Sequence, residues 1–221
     1  MRWILAACLF AAMPSGATDT PPSVEITLEQ YQQSGEWKPM DPRTVFRAND
    51  QIRFRFQSTV GGYLYVLNRS SNGETEWIFP NVKTGRANEI EPGKSYLVPA
   101  TQGAFVIEGT PGFDITYWLI SPTPLSDWEN SLEQTAPPKM EDTLLPRCRE
   151  EGLKARGGCL DDRAGAGPVK NTATLPAALG KTDGLQARAL RFHGKGSTST
   201  TITAKGPAGS PLLYEFRVAH Q

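Results

Sequence analysis

The chain has 221 residues, with 23 Lys and Arg against 23 Asp and Glu. That balance argues against non-specific nucleic-acid binding, which needs surplus cations to neutralise phosphates. A hydrophobic share of 38% excludes a wholly disordered chain, and 21 Gly with 18 Pro predict many turns and few long helices.

In chain order, Arg2 is followed by the apolar run from Trp3 to Met13 and by the small residues Ser15, Gly16 and Ala17. This is the layout of a secretory signal peptide over residues 1–17, with Thr18 as the mature N-terminus. The run is too short to span a bilayer core of ~30 Å, and no later stretch reaches ~20 apolar residues. The mature chain is therefore expected to lack a transmembrane segment and to reside in the periplasm or outside the cell. A lipid anchor at Cys8, after Leu5-Ala6-Ala7, is the rival address, but almost no apolar run precedes that cysteine.

Fifteen of the twenty aromatic residues lie between Tyr31 and Trp128, and none lies between Glu129 and Arg191. The main core is accordingly placed in a β-sandwich domain at 23–134. A flexible Pro/Gly-rich connector at 135–184 and a β tail at 185–221 follow. Val24, Ile26 and Leu28 alternate with polar residues, as do Ile52, Phe54 and Phe56, so both segments read as half-buried strands. The segment from Gly62 to Asn68, then Asn72-Gly73, then Glu76 to Pro80 reads as a hairpin, with positive φ at both Asn72 and Gly73. Strands at 95–99, 104–108 and 114–121 complete an immunoglobulin-like set. Ser126-Asp127-Trp128-Glu129 is a capping box predicting one short helix. In the tail, 185–192, 197–204 and 212–219 read as strands that must pair with or pack on the sandwich, since two or three strands do not stand alone in water. The stretch Ala164-Gly165-Ala166-Gly167-Pro168 reads as mobile.

Two strands lack a polar face. Tyr63, Tyr65 and Leu67 oppose Leu64 and Val66, and the run from Ile115 to Ile120 is apolar on both sides. Such strands belong in mid-sheet with the outer face covered. Either the chain's own tail or helix supplies the cover, or Tyr63, Tyr65, Trp77, Tyr117 and Trp118 form an aromatic binding face.

After removal of the signal, Cys148 and Cys159 remain, and an oxidising compartment predicts a disulfide between them. Closing so short a loop stabilises by ~3 kcal/mol. The spacing is not C-x-x-C. With only His193 and His220 available as histidines, no metal or other cofactor site is expected. Both histidines are expected at the surface, and Asp161-Asp162 as a solvated charge cluster. The run from Asn68 to Gly73 faintly matches a calcium loop, but Phe79 holds the position of the bidentate carboxylate, so hairpin chemistry explains it better. No nucleophile elbow, P-loop, H-E-x-x-H or G-x-G-x-x-G motif is present, so no catalytic residues are assigned and the chain is not expected to be an enzyme.

Several of these segments together are distinctive. Phe46-x-x-Asn49-Asp50-x-Ile52-Arg53-Phe54 precedes Gly62-Tyr63-Leu64-Tyr65-Val66-Leu67-Asn68, and Asn72-Gly73 and Phe79-Pro80-Asn81 follow. Ile90-x-x-Gly93, Tyr96-x-Val98-Pro99 and the strand from Ile115 to Ile120 complete the pattern. Residues 40–122 thereby resemble the bacterial exported domain-of-unknown-function family 4384, which usually carries Gly-Asp where this chain has Asn49-Asp50. The resemblance implies a small β-rich extracytoplasmic module and brings no catalytic residues with it. The expected function is an exported, non-catalytic module that binds another envelope or secreted component. Carbohydrate binding through exposed Trp and Tyr is the alternative, and an unrecognised hydrolase a third.

Overall fold

The computed structural model describes residues 21–81, 87–100, 103–126, 128, 145–146, 158–170, 175, 179, 188–194, 197–207 and 209–221. Fourteen strands are assigned among them. They are β1 (Ser23–Tyr31), β2 (Trp37–Pro39), β3 (Val45–Phe46), β4 (Gln51–Ser58), β5 (Gly62–Arg69), β6 (Thr75–Phe79) and β7 (Glu89–Ile90). Then come β8 (Ser95–Val98), β9 (Phe105–Val106), β10 (Gly112–Ser121), β11 (Gly165–Gly167), β12 (Ala189–His193), β13 (Ser199–Lys205) and β14 (Leu212–His220).

The strands form two seven-stranded sheets. The first runs β12-β13-β1-β4-β8, with β2 on β1 and β9 on β4. The second runs β11-β14-β10-β5-β6, with β3 on β14 and β7 on β5. Period-two alternation explains how they stack. Val24, Ile26 and Leu28 of β1 and Ile52, Phe54 and Phe56 of β4 present one apolar face. It meets Leu64, Val66, Trp118, Ile120, Tyr214 and Phe216 of the second sheet in one buried cluster. Trp118 is at its centre: it stacks on Phe56 (5.6 Å between centroids) and Tyr214 (6.0 Å) and meets the edge of Phe54 (5.2 Å). Burying each such ring stabilises by roughly 1.5–3 kcal/mol. The indole Nε1 donates to Thr116 Oγ1 at 2.8 Å, so the tryptophan is buried without an orphan donor.

The C-terminal strands are integral to both sheets. β14 lies between β10 and β11 and is in register with β10 from Gly112↔His220 to Ile120↔Leu212. β13 pairs with β1. Unpaired mid-sheet amides and carbonyls are costly, which is why the tail is inserted rather than laid over a finished sandwich.

Four sequence expectations are corrected here. Gly165–Gly167, expected to be mobile, is β11, paired with β14 from Gly165↔Arg217 to Gly167↔Glu215. Gly165 has φ +95°, and a Cβ there would come within 3.3 Å of Pro42, so glycine permits the close approach. The β5–β6 loop is not a two-residue turn with two positive φ values. Only Gly73 is left-handed (φ 92°), and the Gly73 amide donates to Ser70 O while the Ser70 amide donates to Glu74 O. This is the three-residue loop that ends on a left-handed glycine. His220 is not at the surface: β14 is interior to its sheet, and the imidazole is 1% exposed. Asp161 is not solvated either. It is buried and holds Arg163 at 2.6 Å.

The short-helix expectation at Ser126–Glu129 falls in part outside the described residues, as do Cys148 and the signal segment. Among the described residues, no helix is long and apolar enough to cross a membrane.

Candidate functional site

The five aromatic residues of the expected binding face do not share a face. Alternation along β10 sends Trp118 inward, where it is fully buried in the inter-sheet core. That is a correction: Trp118 is a core residue with no access to a partner. Tyr65 and Tyr117 do point to the outer side of the second sheet, but each is 1% exposed. They form a second buried cluster with Leu67, Ile115, Leu119 and Leu179, flanked by the partly buried Tyr63, Trp77, Leu125, Trp128, Val169, Leu175 and Leu213. The cover is supplied by the chain itself, from the segment after β10 and from the connector. Trp128 meets the edges of Trp77 (5.5 Å) and Tyr65 (6.2 Å), and the Leu125 amide donates to the Tyr65 hydroxyl at 2.8 Å. Trp77 keeps its buried Nε1 without a partner.

The outer face of the first sheet is open. On β1, Glu25 and Tyr31 are exposed, with Ser23 and Thr27 half-buried. Gln51, Arg55 and Gln57 of β4 and Arg191 and His193 of β12 are exposed beside them. Thr201 and Thr203 of β13 continue the face in register. At one end lies the most structured part of this surface. Glu29 is 3% exposed and accepts from Arg53 Nε at 2.6 Å and Arg55 Nε at 2.9 Å. Arg53 and Arg55 lie in register with Glu29 and Thr27, so the two cations straddle one carboxylate. The Arg53 guanidinium also covers the Trp37 ring at 4.2 Å. Trp37 and Tyr31 are cross-strand partners, with centroids 5.2 Å apart and planes tilted by 52°. Tyr31 is 43% exposed, the most accessible aromatic side chain described.

Sequence reasoning missed Tyr31 and Trp37. The signal was present: the alternation that buries Val24, Ile26 and Leu28 places Tyr31 on the Glu25–Thr27–Glu29 side, where an aromatic residue has no core to enter.

A third cluster anchors the segment around Cys159 to the second sheet. Cys159 is buried with Val45 and Ala219, and its carbonyl accepts the Val45 amide at 2.8 Å. Arg43 bridges Asp41 (2.7 Å) and Asp162 (3.2 Å), and these contacts hold it firmly in its charged form. Arg163 lies over the Phe113 ring.

The strands from β3 to the end of β10 coincide with a known pattern. Residues 45–124 match the family model of a domain of unknown function, DUF4384. That is the family suggested by the sequence. No curated protein and no solved structure gives a match. The DUF4384 segment supplies part of each sheet and no more: β1, the partner of β4, and β14, the partner of β10, both lie outside it. Asn49 has φ 70° and is the only non-glycine residue at positive φ among those described. Asparagine tolerates that conformation better than most side chains.

Proposed function

We propose that this protein is an exported, non-catalytic binding module that docks another envelope or secreted protein on the outer face of its first sheet. One observation carries the reading: the second sheet's aromatic outer face is closed by the chain's own segments, whereas the first sheet's is open. The open face is largely polar, and Tyr31, Trp37 and Arg55 lie at one end of it. Exposed aromatic and arginine side chains are enriched at protein contacts. The 52° tilt between Tyr31 and Trp37 weighs against the carbohydrate alternative, since stacking on one sugar face favours coplanar rings.

Export and the Cys148–Cys159 disulfide belong to the same proposal, supported by the signal layout of residues 1–17 and by the buried setting of Cys159. An immunoglobulin-like kinship also belongs to it, supported by two largely antiparallel sheets over one aromatic core.

The test is a photo-crosslinking residue placed at Tyr31, and separately at Tyr117, in protein expressed in its native host. A discrete protein adduct from position 31 and none from position 117 is expected. An adduct confined to position 117 would place the partner on the other sheet. Adducts to glycan at position 31 would favour the carbohydrate alternative.

A further inference from the structure

At one end of the sandwich the inward face of the second sheet stops being apolar. Asn68 follows Val66 on the inner side of β5, and its cross-strand partner Glu76 precedes Ile78 on β6. On β10, Asp114 and Thr116 continue the inward column of Trp118 and Ile120. These positions border a cavity of about 290 Å³ between the sheets. Its apolar walls come from Ile52, Ile78, Ile107 and Val218, and Glu108 joins the rim. The cavity is fixed in place: the Ile107 amide donates to Asp50 O, the Asn49 amide donates to Ile107 O, and the Ser71 amide donates to Asp114 Oδ1 at 2.8 Å.

Thr116 accepts from Trp118 and donates to Phe216 O, Asp114 accepts the Ser71 amide, and Glu76 and Glu108 reach solvent, so the carboxylates keep acceptor positions free to receive a donor from the cavity. Three carboxylates border this cavity and no Lys or Arg does. His220 does not line the cavity; buried behind Asp114, it brings its Nε2 to 3.3 Å from Asp114 Oδ1, so Glu76 and Glu108 are the carboxylates that face the cavity with no cationic side chain beside them among its lining residues. Among the described residues, no three acidic, His or Cys side chains are grouped tightly enough to hold a metal ion. Dispersed negative charge around an apolar pocket suits an organic cation, whose stem fills the pocket while its ammonium reaches the rim.

We infer that this cavity binds a primary ammonium on a short aliphatic stem, either a free alkylamine or a lysine side chain of a partner. The site is independent of the open face of the first sheet and of export. It stands or falls separately from the function proposed above.

The test is a titration of the folded mature chain, followed by amide NMR shifts. The probes are 1,5-diaminopentane, the capped tripeptide acetyl-Gly-Lys-Gly-amide, and the neutral pentan-1-ol. At least one amine should bind saturably, with shifts centred on Asn68, Glu76, Glu108 and Thr116, and at least tenfold tighter than the alcohol. The Glu76→Gln/Glu108→Gln double variant changes only exposed carboxylates. It should keep the wild-type fold by circular dichroism and bind the same amine at least tenfold more weakly. Preference for the diamine would point to a free amine, and preference for the tripeptide to a protein-borne lysine. Three results would each overturn the inference: no saturable binding of either amine at millimolar concentration, equal binding of the alcohol, or undiminished binding by the folded double variant.

Discussion

The Tyr214 hydroxyl is buried in the inter-sheet core without a hydrogen-bond partner, and burial pushes its pKa well above the ordinary tyrosine value. Tyr214→Phe removes an orphan polar atom while keeping the ring on Trp118. Urea denaturation should show equal or greater stability, by up to ~1 kcal/mol. A loss larger than that would mean the hydroxyl has a partner. Phe54→Ala should cost ~3–5 kcal/mol, because Phe54 meets Trp118 and Phe216 edge-on at 5.2 and 5.1 Å. Glu29→Ala leaves Arg53 and Arg55 facing each other and should cost about 2 kcal/mol. That is below the ~3–5 kcal/mol of a fully buried pair, because Arg55 reaches water. At Asn49, Gly should be tolerated and Val should destabilise, since a β-branched residue resists φ 70°. A melting temperature unmoved by Val would contradict the left-handed assignment.

β14 contributes a full-length mid-strand to the second sheet, so truncation before Leu212 removes the neighbour of both β10 and β11. The truncated chain should lose its cooperative thermal transition and aggregate, and a soluble, folded truncation would contradict the sheet order. The isolated 45–124 segment should fail in the same way, because it lacks β1 and β14. How far the elements were legible follows from the same physics. β1, β4, β5, β10 and β14 could be read because alternation or doubly apolar runs over about six or more residues carry a strong periodic signal. β3 and β7 are two-residue pairings and β2 and β11 three-residue ones, too short for any period, whereas β9 lies within the expected strand at 104–108; β11 is Gly-Ala-Gly, whose composition resembles a linker. The aromatic face of β5 and β10 was legible as a face needing cover, and so was the share supplied by Leu125 and Trp128 from the segment after β10; the share from Val169, Leu175 and Leu179 was not, because it comes from the separate connector. The polar cavity end was hidden for a related reason. Asn68 and Asp114 look like ordinary strand ends until the pairing shows them facing inward.

Among the described residues, the molecule is a sandwich with one outer face closed by its own chain and the other open, and the functional proposal rests on that asymmetry. The proposed Cys148–Cys159 bridge would tie the Cys159 segment to the sheet beside Val45. Intact mass with and without reduction, on protein taken from the periplasm, should show a two-hydrogen difference, whereas two freely alkylated thiols without reduction would contradict it. N-terminal sequencing of the exported protein should begin at Thr18, and an acylated Cys8 would favour the lipid anchor. The asymmetry itself is tested most directly by hydroxyl-radical footprinting of the native mature protein, read residue by residue by mass spectrometry. Tyr31 and Trp37 should be oxidised rapidly, and Tyr65, Tyr117 and Trp118 should be protected until the protein unfolds. Oxidation of Tyr65 and Tyr117 at the rate of Tyr31 in the folded protein would show that the second sheet's aromatic face is open, and would contradict the account.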